Sequence, residues 1–238
     1  MPIQLTSSAS ISNDVPDRPL VFTVEGRYQN WIKPLILLES LGIPHDVVVL
    51  DGPTTRTDWF TALHPQRYVP ALLDGVDGQR TYVWDSSAML EYLAERYDTA
   101  HAWSGRDMCE KNEIRNWLTF ETASLGPTAK YWVWYEMRTG EAVNPAAQEK
   151  LFNDLRVQYG IINARLSEPG QHWLGAKDRP TIADIATYPF ADVETTARIG
   201  MPMEQWPALV AWRDRMATLP GVVKPYAEKD SWRAMEIR

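Results

Sequence analysis

Two short stretches carry residue types that could hold a small charged peptide. In the first, Val69-Pro70-Ala71-Leu72-Leu73, an X-Pro step opens an apolar strand. A cis bond there would leave the Val69 N–H and C=O open to pair with an extended peptide. In the second, Tyr82-Val83-Trp84-Asp85-Ser86-Ser87, a strand runs into an acidic residue and a serine that open a helix. Unpaired N–H groups at such a helix start attract a carboxylate, and the Ser86 hydroxyl could add a hydrogen bond. Asp85 would receive an ammonium. The pair therefore suits an amino-acid head group carrying both charges, and a tripeptide is the first ligand to consider. Plainer readings stand beside these: a trans proline at the first residue of a strand, and Asp85 or Ser86 as a simple helix cap.

The loop Tyr28-Gln29-Asn30 follows the first strand and opens the first helix, an end of the sheet where ligands of open α/β folds bind. A thiol placed there would meet helix N–H groups, the Tyr28 hydroxyl and the Asn30 amide. Lowering a thiol pKa by about two units takes roughly 2.7 kcal/mol of preference for the thiolate. One or two hydrogen bonds to a charged acceptor supply that, at roughly 1.5–3 kcal/mol each. The alternatives are Asn30 as an N-cap and Tyr28 as an exposed side chain. No cysteine lies between Glu25 and Lys33, which excludes protein-based thiol–disulfide exchange at this loop. Arg56 and Arg67 flank a short helix, and either could fork a second ligand carboxylate or be a solvated charge. Tyr131-Trp132-Val133-Trp134-Tyr135 is the densest aromatic run. Neighbours on a helix lie about 100° apart, so part of this run packs inward and part faces a pocket or partner. Cys109 has no histidine or second cysteine nearby and reads as structural.

The elements that must position these residues follow from the pattern. Residues 1–17 form a polar, Ser-rich arm. Residues 18–24 are β-branched and aromatic and predict a strand. Trp31, Ile32, Leu35, Ile36, Leu38 and Leu41 recur at helical spacing up to Gly42, with Asn30 as the expected N-cap. His45 to Leu50 reads as a second strand, so a βαβ unit with parallel strands is expected. A short helix covers Asp58 to Leu63. The two strands of the opening motifs follow, joined by a turn over Asp74 to Arg80, and then a helix over Ser86 to Tyr97. Beyond a linker at 98–106 everything predicts helix. Glu110 to Met137 is broken at Gly126-Pro127, Pro145 to Leu166 is a second long helix, and Ala208 to Leu219 is another. Thr181 and Asp184 have the spacing of a capping box. The expected fold is α/β plus all-α, with an arm at 1–17, a small mixed domain at 18–97 and an all-helical domain at 107–238.

Composition narrows the function. The chain has 238 residues, 45% hydrophobic, with eleven tryptophans and a net charge of −7. The absence of basic clusters with interleaved aromatics argues against a nucleic-acid partner. No long apolar span or signal-peptide pattern is present, so no membrane association is expected and the cytoplasm is the default compartment. One cysteine and four scattered histidines give neither a disulfide framework nor a metal site.

In this order the parts resemble the glutathione S-transferases over roughly Arg18 to Pro220. The first half is similar to their thioredoxin-like glutathione-binding domain and the second to their helical domain. Three stretches narrow the resemblance to a fungal and bacterial branch. They are Asn30-Trp31-Ile32-Lys33-Pro34-Leu35-Ile36-Leu37-Leu38-Glu39, His64-Pro65-Gln66-Arg67-Tyr68-Val69-Pro70-Ala71-Leu72, and Asn116-Trp117-Leu118 through Leu125-Gly126-Pro127-Thr128-Ala129. That branch includes the transferase-like domain of a yeast nitrogen-regulator prion protein and transferases of mould secondary-metabolite pathways. The resemblance implies glutathione as cosubstrate or cofactor, a cis Pro70 with Val69 pairing to the cysteinyl backbone, and Asp85 and Ser86 on the γ-glutamyl group. It places Asn30 near the sulfur, with Tyr28 as the other candidate for activating it, and Arg67 or Arg56 at the glycyl end. Tyr131, Trp132, Trp134 and Tyr135 would wall the site of an apolar electrophilic acceptor between the domains, and the protein would be a homodimer. Two departures stand out: Asp85 where the family has Glu, and His64-Pro65 where it has Asn-Pro. The implied activity is thiolate addition to an electrophilic carbon, or reversible addition giving net cis/trans isomerisation. A non-catalytic binding or regulatory protein on the same fold is the rival reading.

Overall fold

The computed structural model describes residues 14–136 and 144–233. Most of the expected N-terminal arm and the last residue of the expected Glu110 to Met137 helix lie outside them. The chain forms two compact units. The first runs to Thr99 and includes the segment from Leu219 onward; the second is Ala100–Thr218.

The first unit is built on a four-stranded sheet of order β2-β1-β3-β4. β1 (Leu20–Val24) pairs in parallel with β2 (Asp46–Leu50), as the intervening helix α1 (Ile32–Leu41) requires. β1 pairs antiparallel with β3 (Ala71–Val76), which pairs with β4 (Gln79–Trp84). The β3–β4 turn is much shorter than expected from Asp74 to Arg80, because the ladder continues to Val76↔Gln79. Asp77 (φ 51°) and Gly78 (φ 75°) alone make the turn. Asp-Gly at two positive-φ sites matches the twist of a two-residue hairpin.

One face of the sheet buries Phe22, Val48, Leu50, Ala71 and Leu73 against Phe60 and Leu63 of α2 (Asp58–Leu63). The strand alternation leaves Val21, Val49 and Leu72 on the other face, where they are equally buried. All seven residues from Ile32 to Leu38 of α1 are buried, so the helix is internal rather than amphipathic. It packs against α3 (Ser86–Tyr97) and against α10 (Pro220–Glu228), which belongs to the first unit and not to the helical domain expected at 107–238. Two prolines and a glycine give α10 a low local helix propensity. Pro220 sits at its first turn, where no N–H is missed. At Gly221 a Cβ would collide with Ser40 of α1, so only glycine allows this approach. A polar knot ties α3 to β3. The buried Asp74 accepts from the Tyr92 and Tyr97 hydroxyls, each at 2.8 Å, and pairs with Arg96 Nε at 3.0 Å. Burial, reinforced by this carboxylate, pushes the Tyr92 phenol well up.

The second unit is helical. α4 (Met108–Phe120) passes through a π-helical turn at Glu121–Leu125 into α5 (Gly126–Glu136). The break therefore precedes Gly126-Pro127, and a Cβ at Gly126 would meet the Glu121 carboxylate at 2.5 Å, so a larger residue there requires that side chain to move. α6 (Pro145–Leu166), α7 (Ile182–Ala191), α8 (Val193–Ile199) and α9 (Pro207–Ala217) complete it. Asn163 of α6 accepts from Ala208 and Leu209 N–H at 3.0 and 3.2 Å, capping α9 from a distance. Asp184 sits at the third position of α7 in the expected capping box. Cys109, read as structural, is exposed on α4.

Candidate functional site

The sheet register brings three segments to one end. Phe22 faces Ala71 and Ala71 faces Trp84. The chain leaves β1 two residues past Phe22, enters β3 at Ala71, directly after Pro70, and leaves β4 immediately after Trp84. The loop around Tyr28 to Asn30, the Val69-Pro70 step and the Asp85-Ser86 corner therefore lie together, although 56 positions separate Asn30 from Ser86.

Each corner has a defined geometry. The Val69-Pro70 bond is cis. The β3 ladder begins at Ala71, so Val69 is outside it. Asp85 has φ 72° and ψ 130°, a region costly for a residue with a Cβ. Its Oδ1 accepts from Ser87 N–H at 2.9 Å. The cap reading of Asp85 is thus correct, yet the residue is exposed and its other carboxylate oxygen is available. Ser86, the first residue of α3, is buried. Its hydroxyl donates to Asn30 Oδ1 at 3.4 Å and accepts from Lys33 Nζ at 3.3 Å. His64 is buried between the rings of Tyr68 and Trp84, with centroids at 6.0 and 5.4 Å. Its Nδ1 accepts from Gln66 N–H at 3.3 Å. Burial lowers the His64 pKa, against an upward pull from Asp85.

Several expectations change here. Asn30 is not the N-cap of α1. Trp31 holds that position in helical conformation, because the turn already closes with Ile32 N–H on Tyr28 C=O at 2.9 Å. The Asn30 side chain is thereby released to reach Ser86. Tyr28 is not exposed. Its ring packs edge-on against Tyr226, with centroids at 5.5 Å, and Lys229 Nζ lies 4.4 Å from its centroid. Arg56 is exposed at the end of a 3₁₀ turn at Thr54–Arg56. Arg67 is exposed, and its Nε donates to Thr61 Oγ1 at 3.0 Å. On α5, Trp132 is buried and Tyr135 half-buried, whereas Tyr131 and Trp134 are 55% and 36% exposed. The run divides as its helical spacing requires. Lys33 was not identified from the sequence as a site residue. The available signal was one lysine inside an apolar run with no polar face to occupy. A cavity of about 320 Å³ in the same unit, bordered by Glu39, His45, Lys224 and Trp232, contains none of these residues.

The strained Asp85 backbone gives a prediction. Glycine adopts this conformation without a Cβ penalty, and as an N-cap it is only a few tenths of a kcal/mol worse than Asp. Asp85→Gly is expected to stabilise the protein by about 1 kcal/mol in urea denaturation while weakening binding of an amino-acid head group. A variant both less stable and equally competent to bind would show that the conformation has no cost and the carboxylate no role.

A thioredoxin-like sheet with a cis proline opening its third strand, followed by an all-helical unit, is the glutathione-transferase architecture. The family models agree: "Glutathione S-transferase, N-terminal domain" matches residues 32–96 and "Glutathione S-transferase, C-terminal domain" matches 127–220. The chain belongs to the glutathione S-transferase family. It is 60% identical to glutathione S-transferase verG of Clonostachys rogersoniana, across 100% of this chain and 99% of that one. It is 34% identical to the trimodular acetylaranotin synthesis protein ataIMG of Aspergillus terreus, over 83% of this chain and 20% of that protein. Among solved structures it resembles Ure2p in complex with glutathione, at 26% identity and a TM-score of 0.79, covering 87% of this chain and 97% of that one. The chain is a glutathione transferase of the fungal branch expected from its sequence. No helix among the described residues is long and apolar enough to cross a membrane.

Proposed function

We propose that the end of the sheet formed by Val69, Asp85, Ser86 and Asn30 holds glutathione and that the enzyme adds its thiolate to an apolar, electrophilic intermediate of a secondary-metabolite pathway. The convergence of these four residues carries the reading. The Val69 backbone lies outside the strand ladder and suits an extended cysteinyl unit. The N-terminus of α3 suits the γ-glutamyl carboxylate, and the available Asp85 oxygen suits the γ-glutamyl ammonium. Asn30 then serves the sulfur. The Tyr28 ring is enclosed by Tyr226 and Lys229, which favours Asn30 for that role. Arg56 is exposed and uncommitted, so it serves the glycyl carboxylate more readily than Arg67, which is tied to Thr61. In the reaction the sulfur lone pair forms a C–S bond to the electrophilic carbon. The displaced electron pair moves to the acceptor's withdrawing group, which takes a proton from solvent. The exposed Tyr131 and Trp134 supply an apolar surface for the acceptor, with Trp132 and Tyr135 supporting them. The enzyme acts as a homodimer in the cytoplasm.

Calorimetric titration of glutathione tests the site. The wild type is expected to bind saturably. The Asp85→Ala/Ser86→Ala variant removes the carboxylate that takes the ammonium, worth about 1.5–3 kcal/mol, together with the hydroxyl that holds the Asn30 amide, and is expected to bind at least roughly 10-fold more weakly. Absence of binding to the folded wild type would overturn the reading and leave a binding protein on a transferase fold.

A further inference from the structure

Lys33 is unusual for its position. It lies on a helix whose first seven residues are all buried, and its side chain is fully buried. Lysine at such a place costs several kcal/mol in desolvation unless the charge is used. One partner of its ammonium is the Ser86 hydroxyl oxygen, 3.3 Å away and 53 positions along the chain. Ser86 in turn contacts Asn30 Oδ1. The three side chains form a line from the interior of the first unit to the end of the sheet where the proposed ligand sits.

The chemistry of the three groups gives this line a direction. An ammonium only donates, a hydroxyl has one proton, and a primary amide has one accepting and one donating end. With Lys33 on the Ser86 oxygen, the serine proton turns outward to Asn30 Oδ1. With its oxygen so engaged, the Asn30 amide presents its NH₂ to whatever lies beyond. A thiolate accepts hydrogen bonds and is stabilised by that NH₂; an amide turned the other way would place an oxygen against the sulfur. We infer that Lys33 is a positioning residue of the transferase, which orients Ser86 and, through it, the Asn30 amide so that the site selects the thiolate form of its ligand. The inference rests on the proposed placement of glutathione, and it adds a residue that touches no part of the substrate.

The test uses the full chain and glutathione itself. Lys33→Met keeps the length of the side chain and removes the donor to Ser86. The ultraviolet absorbance of the bound thiolate is titrated against pH at saturating glutathione. In Lys33→Met the bound thiol is expected to titrate about one unit higher, a tenfold loss of thiolate at a given pH below its pKa. Below the pKa of the bound thiol, where it binds protonated, the dissociation constant should change less than threefold; above it the thiolate should bind about tenfold more weakly. Lys33→Arg, which restores a donor and the charge, is expected to recover at least half of the shift. In an Asn30→Ala background, Lys33→Met should have no further effect on the thiol, because the line is already cut. An unchanged thiol titration in a Lys33→Met protein that binds glutathione would overturn the inference. So would an equal shift with and without Asn30, which would assign the effect to charge alone. If Lys33→Met does not fold, Lys33→Arg and Lys33→Leu decide: equal thiol titrations in those two overturn it, and a higher one in Lys33→Leu alone supports it. Failure of the wild type to bind glutathione would instead sink the placement of the ligand, which is a separate result.

Discussion

Asp184→Ala is expected to cost about 3–5 kcal/mol of stability, the range for breaking a buried charged network by removing one partner. The carboxylate is fully buried and each oxygen serves two donors. Oδ1 accepts from Leu174 N–H and Trp212 Nε1–H, both at 2.8 Å. Oδ2 accepts from Thr181 N–H at 2.8 Å and Thr181 Oγ1 at 2.9 Å. Alanine would orphan four donors on three residues that are themselves fully buried. At about 1–3 kcal/mol for each stranded group the gross loss is larger than the net figure. The difference is the desolvation cost that disappears with the charge. Burial, the strongest influence, pushes the Asp184 carboxyl up, and the four donors pull it down. Stability of this size is a large part of the ~5–15 kcal/mol available to a domain. The thermal midpoint should fall by roughly 10 °C. Asp184→Asn should lose nearly as much, since an NH₂ at either oxygen position would face two donors. Urea denaturation followed by circular dichroism reads the effect. A loss under 1 kcal/mol for either variant would show that water or a neighbouring side chain replaces the carboxylate.

This capping box was legible in the sequence because its signal is local. Thr181 and Asp184 are three residues apart, and the helix between them needs nothing else to be recognised. The same holds for the Ser86–Tyr97, Asp58–Leu63 and Pro145–Leu166 helices, whose bounds match the structure. The parallel βαβ unit followed from the helix between two strands. What the sequence did not disclose depends on contacts far apart in the chain. α10 carries proline and glycine for a reason that lies on α1, at Ser40. Asn30 has the composition of a cap, and only the closure of the Tyr28–Ile32 turn shows that its side chain is free for Ser86. Tyr28 is followed by polar residues and looked exposed; Tyr226 and Lys229, nearly two hundred positions later, cover it. Lys33 is the sharpest case. A lysine in an apolar helix breaks the periodicity without explaining itself, and its partner is 53 positions away. Local propensity and spacing thus locate the elements and the corners of the site, while the connections between corners belong to the tertiary fold.

Asn30→Ala is the variant expected to act most directly on the chemistry. Asn30 is half-buried, does not cap α1, and its Oδ1 lies 3.4 Å from Ser86 Oγ. Its removal therefore leaves the first helix intact, and a fall in stability of no more than about 1 kcal/mol is expected. The amide donor to a thiolate is a hydrogen bond to a charged acceptor, worth about 1.5–3 kcal/mol. Its loss should raise the pKa of bound glutathione by about one to two units and lower kcat/KM for an electrophilic acceptor by roughly 10- to 100-fold at neutral pH. The sign follows from the thiolate being the nucleophile: below the raised pKa the reactive form is scarce, and the rate returns as pH rises through it. The variant and wild type should therefore converge at high pH, whereas damage to binding alone would leave a gap at every pH. Tyr28→Phe provides the contrast. The Tyr28 ring is held by Tyr226 and Lys229 inside the first unit, and a hydroxyl deletion there should change kcat/KM less than threefold. A large, pH-dependent loss in Tyr28→Phe with a near-normal Asn30→Ala would reverse the assignment and make the tyrosine the group that activates the thiol.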